Sequence, residues 1–185
     1  MFFLVYLYIF LFITVSVTLF LMGIEQVITV ATRRAPAVSA GKKKTAAVVA
    51  QIKKDFPDVK TVLDIGSGWG NMVCAVAKQF PNASITGIEM MPTPYLKSLI
   101  NTKFLKNIKI VFGDAFKYLD KTGKNFDIGI SYLLTPEMRN VEKYLSRFKT
   151  LFSVDFPLPN IKPTNKVKIY HDGRIQHWLY IYKQK

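Results

Sequence analysis

The chain has 185 residues, half of them hydrophobic, and a formal net charge of +14. Its one cysteine, Cys74, excludes an intrachain disulfide, and with only His171 and His177 beside it a Cys/His zinc site lacks ligands, so no metal site is expected. The positive charge favours anionic partners such as lipid headgroups, while no long basic helix with interleaved aromatics marks a nucleic-acid groove and no G-x-S-x-G elbow marks a serine hydrolase.

Residues 1–24 carry no charged side chain and are rich in Phe, Leu, Ile, Val and Tyr. As a helix they would reach about 36 Å, more than the roughly 30 Å of a hydrocarbon core. The hydroxyls of Thr14, Ser16 and Thr18 can bond back to helix carbonyls. No Lys or Arg precedes Arg33, and the apolar run exceeds the roughly 7–15 residues of a signal-peptide core, so a single-pass membrane anchor is expected over a cleaved leader. Val38-Ser39-Ala40 resembles a cleavage site but stands far from the apolar run, beyond Arg33 and Arg34. Those arginines and Lys42, Lys43 and Lys44 all follow the span, which by the positive-inside rule puts the remaining chain on the cytoplasmic or matrix side.

Residues 25–41 read as a linker, with Glu25–Val30 able to extend the membrane helix and Pro36 limiting its continuation. Residues 42–185 are the length of one domain. Lys42–Phe56 has the spacing of an amphipathic helix, with Val48, Val49, Ile52 and Phe56 at its apolar positions and lysines between. Lys60–Ile65 is the first expected strand and Asn71–Phe80 the first crossover helix. Then follow a strand at Ser84–Glu89, a helix at Pro92–Leu105 with Tyr95, Leu96, Leu99, Ile100 and Phe104 at helical spacing, and a strand at Asn107–Phe112. One helical turn is expected at Ala115–Leu119, a strand at Phe126–Leu133 and a helix at Glu137–Phe148. Strands alternating with helices predict a parallel sheet of Rossmann-like α/β class. The end breaks that rhythm: strands at Thr150–Phe156, Lys166–Tyr170 and His177–Tyr182, with Asp172-Gly173 marking a hairpin that reverses the last strand.

The stretch Thr61–Gly70, T-V-L-D-I-G-S-G-W-G, runs from strand to glycine turn to helix, the arrangement that brings a nucleotide-like cofactor against bare backbone. The dinucleotide fingerprint G-x-G-x-x-G fails, because its sixth position is Asn71. Asp64, Glu89 and Asp114 each stand at or near the end of an expected strand, so a parallel sheet gathers them on one rim. Around a shared ligand, Gly66, Ser67, Gly68 and Gly70 offer backbone, and Asp64 orients the loop or meets an amino-acid moiety. Glu89 has two oxygens for ribose hydroxyls, and Asp114 can accept from an adenine amino group. Met90 and Ala115 adjoin these acids on the same rim.

D-I-G-S-G-W-G at 64–70, G-I-E at 87–89 and G-D-A at 113–115 together resemble the class I S-adenosylmethionine-dependent methyltransferases. The resemblance covers residues 42 to 185 and implies a seven-stranded sheet with an antiparallel seventh strand and S-adenosylmethionine as cofactor. The N-terminal span, the G-S-G loop, Phe-Pro-Leu-Pro at 156–159 and W-L-Y-I-Y at 178–182 are further similar to a small family of membrane-anchored protein lysine methyltransferases. Trp69, Gly70 and Asn71 stand where that family carries Asp, Gly and Arg. The acceptor implied is a protein lysine, with a lipid or quinone, or a non-catalytic cofactor-binding module, as alternatives. Ser131–Pro136 lacks the N/D-P-P-Y of enzymes that methylate adenine N6 or glutamine amides. Tyr132, Glu137 and Asp155 are the candidates by position for handling the acceptor proton.

Overall fold

A computed structural model describes residues 2–32 and 39–184. Arg33 and Arg34 of the basic flank, and positions 35–38 of the linker, lie outside the described residues.

Seven strands form one sheet: β1 (Thr61–Ile65), β2 (Ser84–Glu89), β3 (Ile108–Phe112), β4 (Phe126–Ser131), β5 (Phe148–Val154), β6 (Asn165–His171) and β7 (Gln176–Lys183). Their order is β3-β2-β1-β4-β5-β7-β6. The neighbours from β3 to β5 are parallel, and β7 runs antiparallel to both β5 and β6. This is the Rossmann-like sheet with a reversed last strand that the sequence predicts. At the β6–β7 hairpin Asp172 Oδ1 accepts from the amides of Arg174 and Ile175 at 2.9 and 2.8 Å.

The central strands are mostly apolar because both faces are covered. Val62, Ile85 and Ile128 pack with α2 (Gly41–Asp55) and α3 (Asn71–Gln79), while Leu63, Ile65 and Ile88 pack with α5 (Ala115–Thr122) and α6 (Thr135–Lys143). Val48, Ile52 and Val76 are fully buried, and each such side chain contributes about 1.5–3 kcal/mol of transfer free energy.

Several boundaries differ from expectation; among them, the helix expected over Pro92–Leu105 ends at Thr102 and the strand expected to reach Phe156 ends at Val154. The helix expected to stop at Leu119 runs to Thr122 and is closed by Gly123 in the left-handed region. Strand β4 ends at Ser131, two residues early. The helix expected to reach Phe148 stops at Lys143, followed by a 3₁₀ turn at Leu145–Arg147, and Phe148 opens β5 instead. Its ring lies against Gly129 on β4, where a Cβ would come within 2.7 Å. A flat aromatic over a bare backbone position is a sheet contact that a helical Phe148 could not make.

The larger surprise is α4 (Pro92–Thr102). Its regularly spaced apolar residues point outward: Leu96, Ile100 and the following Phe104 are 46%, 58% and 83% exposed. The buried side is Pro94, Ser98 and Thr102. Small residues are needed there because α3 comes very close. A Cβ on Gly70, at the start of α3, would stand 3.0 Å from Ser98 Cβ. The hydroxyls on this side are satisfied within the helix, Ser98 Oγ donating to Tyr95 O at 2.7 Å and Thr102 Oγ1 to Ser98 O at 2.8 Å.

Helix α1 (Phe2–Thr32) takes in residues 2–24 of the apolar segment and the start of the expected linker. Phe2–Val30 is long and apolar enough to cross a membrane, and none of its most apolar window is buried. Thr14 and Thr18 donate to the carbonyls of Phe10 and Thr14, each at 2.8 Å. The C-terminal turns of α1 pack on α4, where Glu25 Oε1 accepts from Thr93 N at 2.8 Å.

Candidate functional site

The strand register levels the carboxyl ends. Asp64 on β1 stands beside Gly87 of β2 and Ile130 of β4, and Glu89 beside Phe112 of β3. Beyond β1 the chain turns through Gly66, Gly68 and Gly70, at φ of +75°, +53° and +81°. The turn is closed by Gly70 N donating to Ser67 O at 3.0 Å and is tied to β2 by Ser67 N donating to Ile88 O at 2.9 Å.

Glu89 is the staple of this arrangement. Its Oε2 accepts from Gly68 N and its Oε1 from Met91 N, both at 2.7 Å. Its own carbonyl accepts from Gly113 N at 2.9 Å. The carboxylate thus fastens the glycine turn to the start of α4, and the backbone of the same residue holds the chain that leaves β3. The sequence suggested that both oxygens serve a ligand; each already serves the backbone. Burial pushes the Glu89 pKa up, opposed by the amides of Met91, Gly68 and Met90.

A cleft open to solvent lies over the turn. Asp64 of β1 and Ser67 and Trp69 of the turn line it together with Ser39, Asn71 and Tyr132. Asp64 is 5% exposed. Burial, then the charge of Glu89, pushes its pKa up to about 7. Among the described residues no basic side chain pairs with it. Ser67 Oγ is buried without a hydrogen-bond partner. An uncompensated carboxylate, an orphaned hydroxyl and exposed turn backbone are the donor set that suits a cationic, amino-acid-bearing ligand.

The other rim residues lie at the same strand ends but do not line the cleft. Gly70 is the left-handed N-cap of α3 and serves the α3–α4 packing. Asp114 caps α5, its Oδ1 accepting from Phe116 N at 2.8 Å and Lys117 N at 3.2 Å. Ala115 is the buried first residue of that helix, and Met90 bonds Glu89 through its amide.

Past Tyr132 the structure holds a network the sequence shows only in part. Lys44 Nζ donates to Tyr132 Oη at 2.9 Å and pairs with Asp155 Oδ2 at 2.7 Å. Lys44 is 7% exposed. Burial works against its charge, but its bonds to Asp155 and Tyr132 outweigh burial and hold its pKa above the usual lysine value. Asp155 Oδ2 also meets His177 Nδ1 at 3.0 Å, and His177 Nε2 meets Asp172 Oδ2 at 3.1 Å. Asp155 sits at φ +61°, the one non-glycine positive φ among the described residues. The β5–β7 pairing imposes it: Asp155 N donates to Trp178 O at 2.8 Å and Oδ1 accepts from Trp178 N at 3.1 Å. Strain held this way collects at functional sites. The Phe-Pro-Leu-Pro stretch lies against the same place, with Phe156 6.1 Å from the Tyr132 ring and Leu158 N donating to Tyr182 Oη at 2.8 Å.

Of the candidates for the acceptor proton, Tyr132 and Asp155 are brought together through Lys44. Glu137 is not: it is buried in the first turn of α6, with Oε2 unpartnered, and does not line the cleft. Sequence reading missed Lys44, His177, Ser39 and the cleft-lining roles of Trp69 and Asn71. Lys44 could have been found, since it stands four residues before Val48 and eight before Ile52, on the buried face of α2.

A family described as "Putative methyltransferase" matches residues 58–129, from the approach to β1 into β4. The chain is similar to (S)-tetrahydroprotoberberine N-methyltransferase of Eschscholzia californica, 29% identical over 108 residues, 57% of this chain and 29% of that one. It is 44% identical over 62 residues to the tRNA (guanine-N(7)-)-methyltransferase of Mycoplasmopsis agalactiae, 32% of this chain and 30% of that one. The chain thus spans less than a third of the length of these two relatives. An RNA methyltransferase from Salinibacter ruber, solved with S-adenosyl-L-homocysteine, superposes with a TM-score of 0.62 at 22% identity, covering 79% of this chain and 93% of that one. That likeness is one of fold.

Proposed function

We propose that this chain, which shares the fold of the class I S-adenosylmethionine-dependent methyltransferases, holds S-adenosylmethionine over the Gly66–Gly70 turn and methylates a protein lysine from a membrane-anchored position. The observation that carries the reading is Asp64: a buried carboxylate lining the cleft that no cationic side chain among the described residues pairs with. A ligand bearing an ammonium and a sulfonium supplies what is missing. The bound cofactor contributes an electrophilic methyl group that an uncharged amine can displace. This chain's own residues must bind, align and exclude water, and must take a proton from an ammonium acceptor.

Tyr132, which lines the cleft, is the group through which the acceptor side connects by way of Lys44 to Asp155. Its hydroxyl accepts from Lys44, which leaves its own proton to donate or to yield. The Lys44 charge beside the Tyr132 hydroxyl disfavours an ammonium at that hydroxyl and so favours an uncharged acceptor amine there. An anchor at residues 1–24 raises the effective concentration of membrane-bound acceptors, and the basic segment at Lys42–Lys44 supports a cytoplasmic or matrix side. The same anchoring supports a lipid or quinone acceptor as the second reading.

The test is labelled-methyl transfer in membranes carrying the full chain. Label recovered as methyl-lysine after acid hydrolysis is the expected result. Label extracted with lipid supports the second reading, and no label in either fraction despite calorimetric cofactor binding means a binding module without turnover.

A pH dependence follows from Asp64. Its folded pKa of about 7 lies above the ordinary carboxylate value. A cationic ligand favours the ionised form, so cofactor affinity rises about tenfold per pH unit up to about pH 7 and levels off above it. Stability of the free protein runs the other way. The folded state holds the proton that the unfolded state releases, so stability falls as pH rises from about 4 to about 7. Asp64→Asn should remove both trends. Calorimetry and thermal denaturation between pH 5.5 and 8 check this, and an affinity flat across that range would refute the assignment of Asp64.

A further inference from the structure

We propose that the outward face of α4 is a docking surface for an anionic lipid bilayer, so that the domain lies against the membrane its anchor enters. Four observations meet there. Leu96, Leu99, Ile100 and Phe104 form an exposed apolar stripe, with Phe104 83% exposed. Phe112, on the adjacent edge strand β3, continues the stripe at 52% exposure, with the Tyr95 ring 5.1 Å away. Residues 90–113 contain four lysines, at 97, 103, 106 and 109, and no acidic residue. All four lysines are exposed.

The fourth observation sets the depth. Glu25 is the first charged residue after the apolar segment, and its carboxylate accepts from Thr93 N in the first turn of α4 at 2.8 Å. The end of the span and the start of α4 are therefore bonded to one another. A helix fixed at the point where an apolar span gives way to charge lies at the headgroup level. An apolar stripe flanked by lysines is what that level selects: aromatic and aliphatic side chains enter the acyl boundary while the lysines meet lipid phosphate. This also accounts for the orientation of α4, whose small residues face the protein and whose large apolar residues do not. A soluble domain rarely leaves such a stripe open.

The inference rests on the reading of α1 as a membrane anchor, and the experiment separates the two. The full chain carrying Cys74→Ser is placed in vesicles of phosphatidylcholine alone or with one-third phosphatidylglycerol. A nitroxide is attached at Phe104→Cys, at Ile100→Cys, at Phe12→Cys within the anchor, or at the exposed Lys162→Cys as an aqueous reference. Collisions with oxygen and with a water-soluble nickel chelate are then compared. In the anionic vesicles, positions 100 and 104 should show an oxygen-to-nickel ratio at least threefold above position 162. Lys97→Glu, Lys103→Glu and Lys106→Glu together should return that ratio to the reference value, with position 12 unchanged. Position 12 in lipid with positions 100 and 104 at the aqueous value overturns the docking surface and leaves the anchor standing. Position 12 at the aqueous value overturns both. Dipolar broadening between labels at position 104, with exclusion of both quenchers, assigns the face to a second copy of the chain and overturns the lipid assignment, as does equal contact in vesicles lacking phosphatidylglycerol.

Discussion

Glu89→Ala is expected to weaken S-adenosylmethionine binding about 100-fold and to lower the stability of the free protein by about 3 kcal/mol. The effect comes from position more than from contact with ligand. The two carboxylate oxygens accept from Gly68 N and Met91 N at 2.7 Å, and the residue is 4% exposed. Alanine leaves two amides inside the fold with no acceptor, and a buried donor left unpaired costs about 1–3 kcal/mol. The glycine turn and the start of α4 then lose their common fastening, so the cleft floor is no longer held for a ligand. Glu89→Gln separates the causes. Its carbonyl can serve one amide while its NH₂ faces the other, so stability should fall by about half as much. Calorimetry with the cofactor and denaturant titration of each variant check both quantities. Unchanged affinity in Glu89→Ala would mean that the turn does not hold the cofactor.

How far the site was legible depended on whether its residues are local. Asp64 and the glycines stand within seven positions, and their chemistry follows from strand, turn and helix in sequence order. The hairpin was legible from Asp172-Gly173, and it brought the reversed strand with it. What was not legible is set by distant contacts. Lys44 is one of three consecutive lysines, and its partners Tyr132 and Asp155 reach it only after the sheet has formed. The role of Glu89 as a staple depends on where the Gly68 amide points. For α4, helical spacing defines a stripe but not its direction; the closeness of Gly70 to Ser98 sends it outward. Phe148 fits the end of a helix and the start of a strand equally well by pattern, and Gly129 decides for the strand.

The Asp155 network yields the second large effect, because one carboxylate there balances two partners. Asp155→Ala leaves Lys44 buried as a cation without its counter-charge, and breaking a buried pair from one side costs about 3–5 kcal/mol. That variant should unfold readily, so loss of methyl transfer in it says little. Asp155→Asn is the informative change. Asparagine tolerates the left-handed backbone at φ +61° and can still accept from Trp178 N, so the β5–β7 junction should hold. It cannot carry the negative charge that faces Lys44 and His177. Cofactor affinity should stay within about threefold, since Asp155 does not line the cleft, while methyl transfer falls about 100-fold, the scale of a lost proton acceptor. Raising the pH should restore part of that rate as the acceptor amine loses its proton to water. A purely structural role would not give such pH rescue. Lys44→Met added to Asp155→Ala completes the test: removing the stranded cation should recover most of the stability and none of the activity. Recovery of full transfer in that pair would show that Asp155 serves only to hold Lys44.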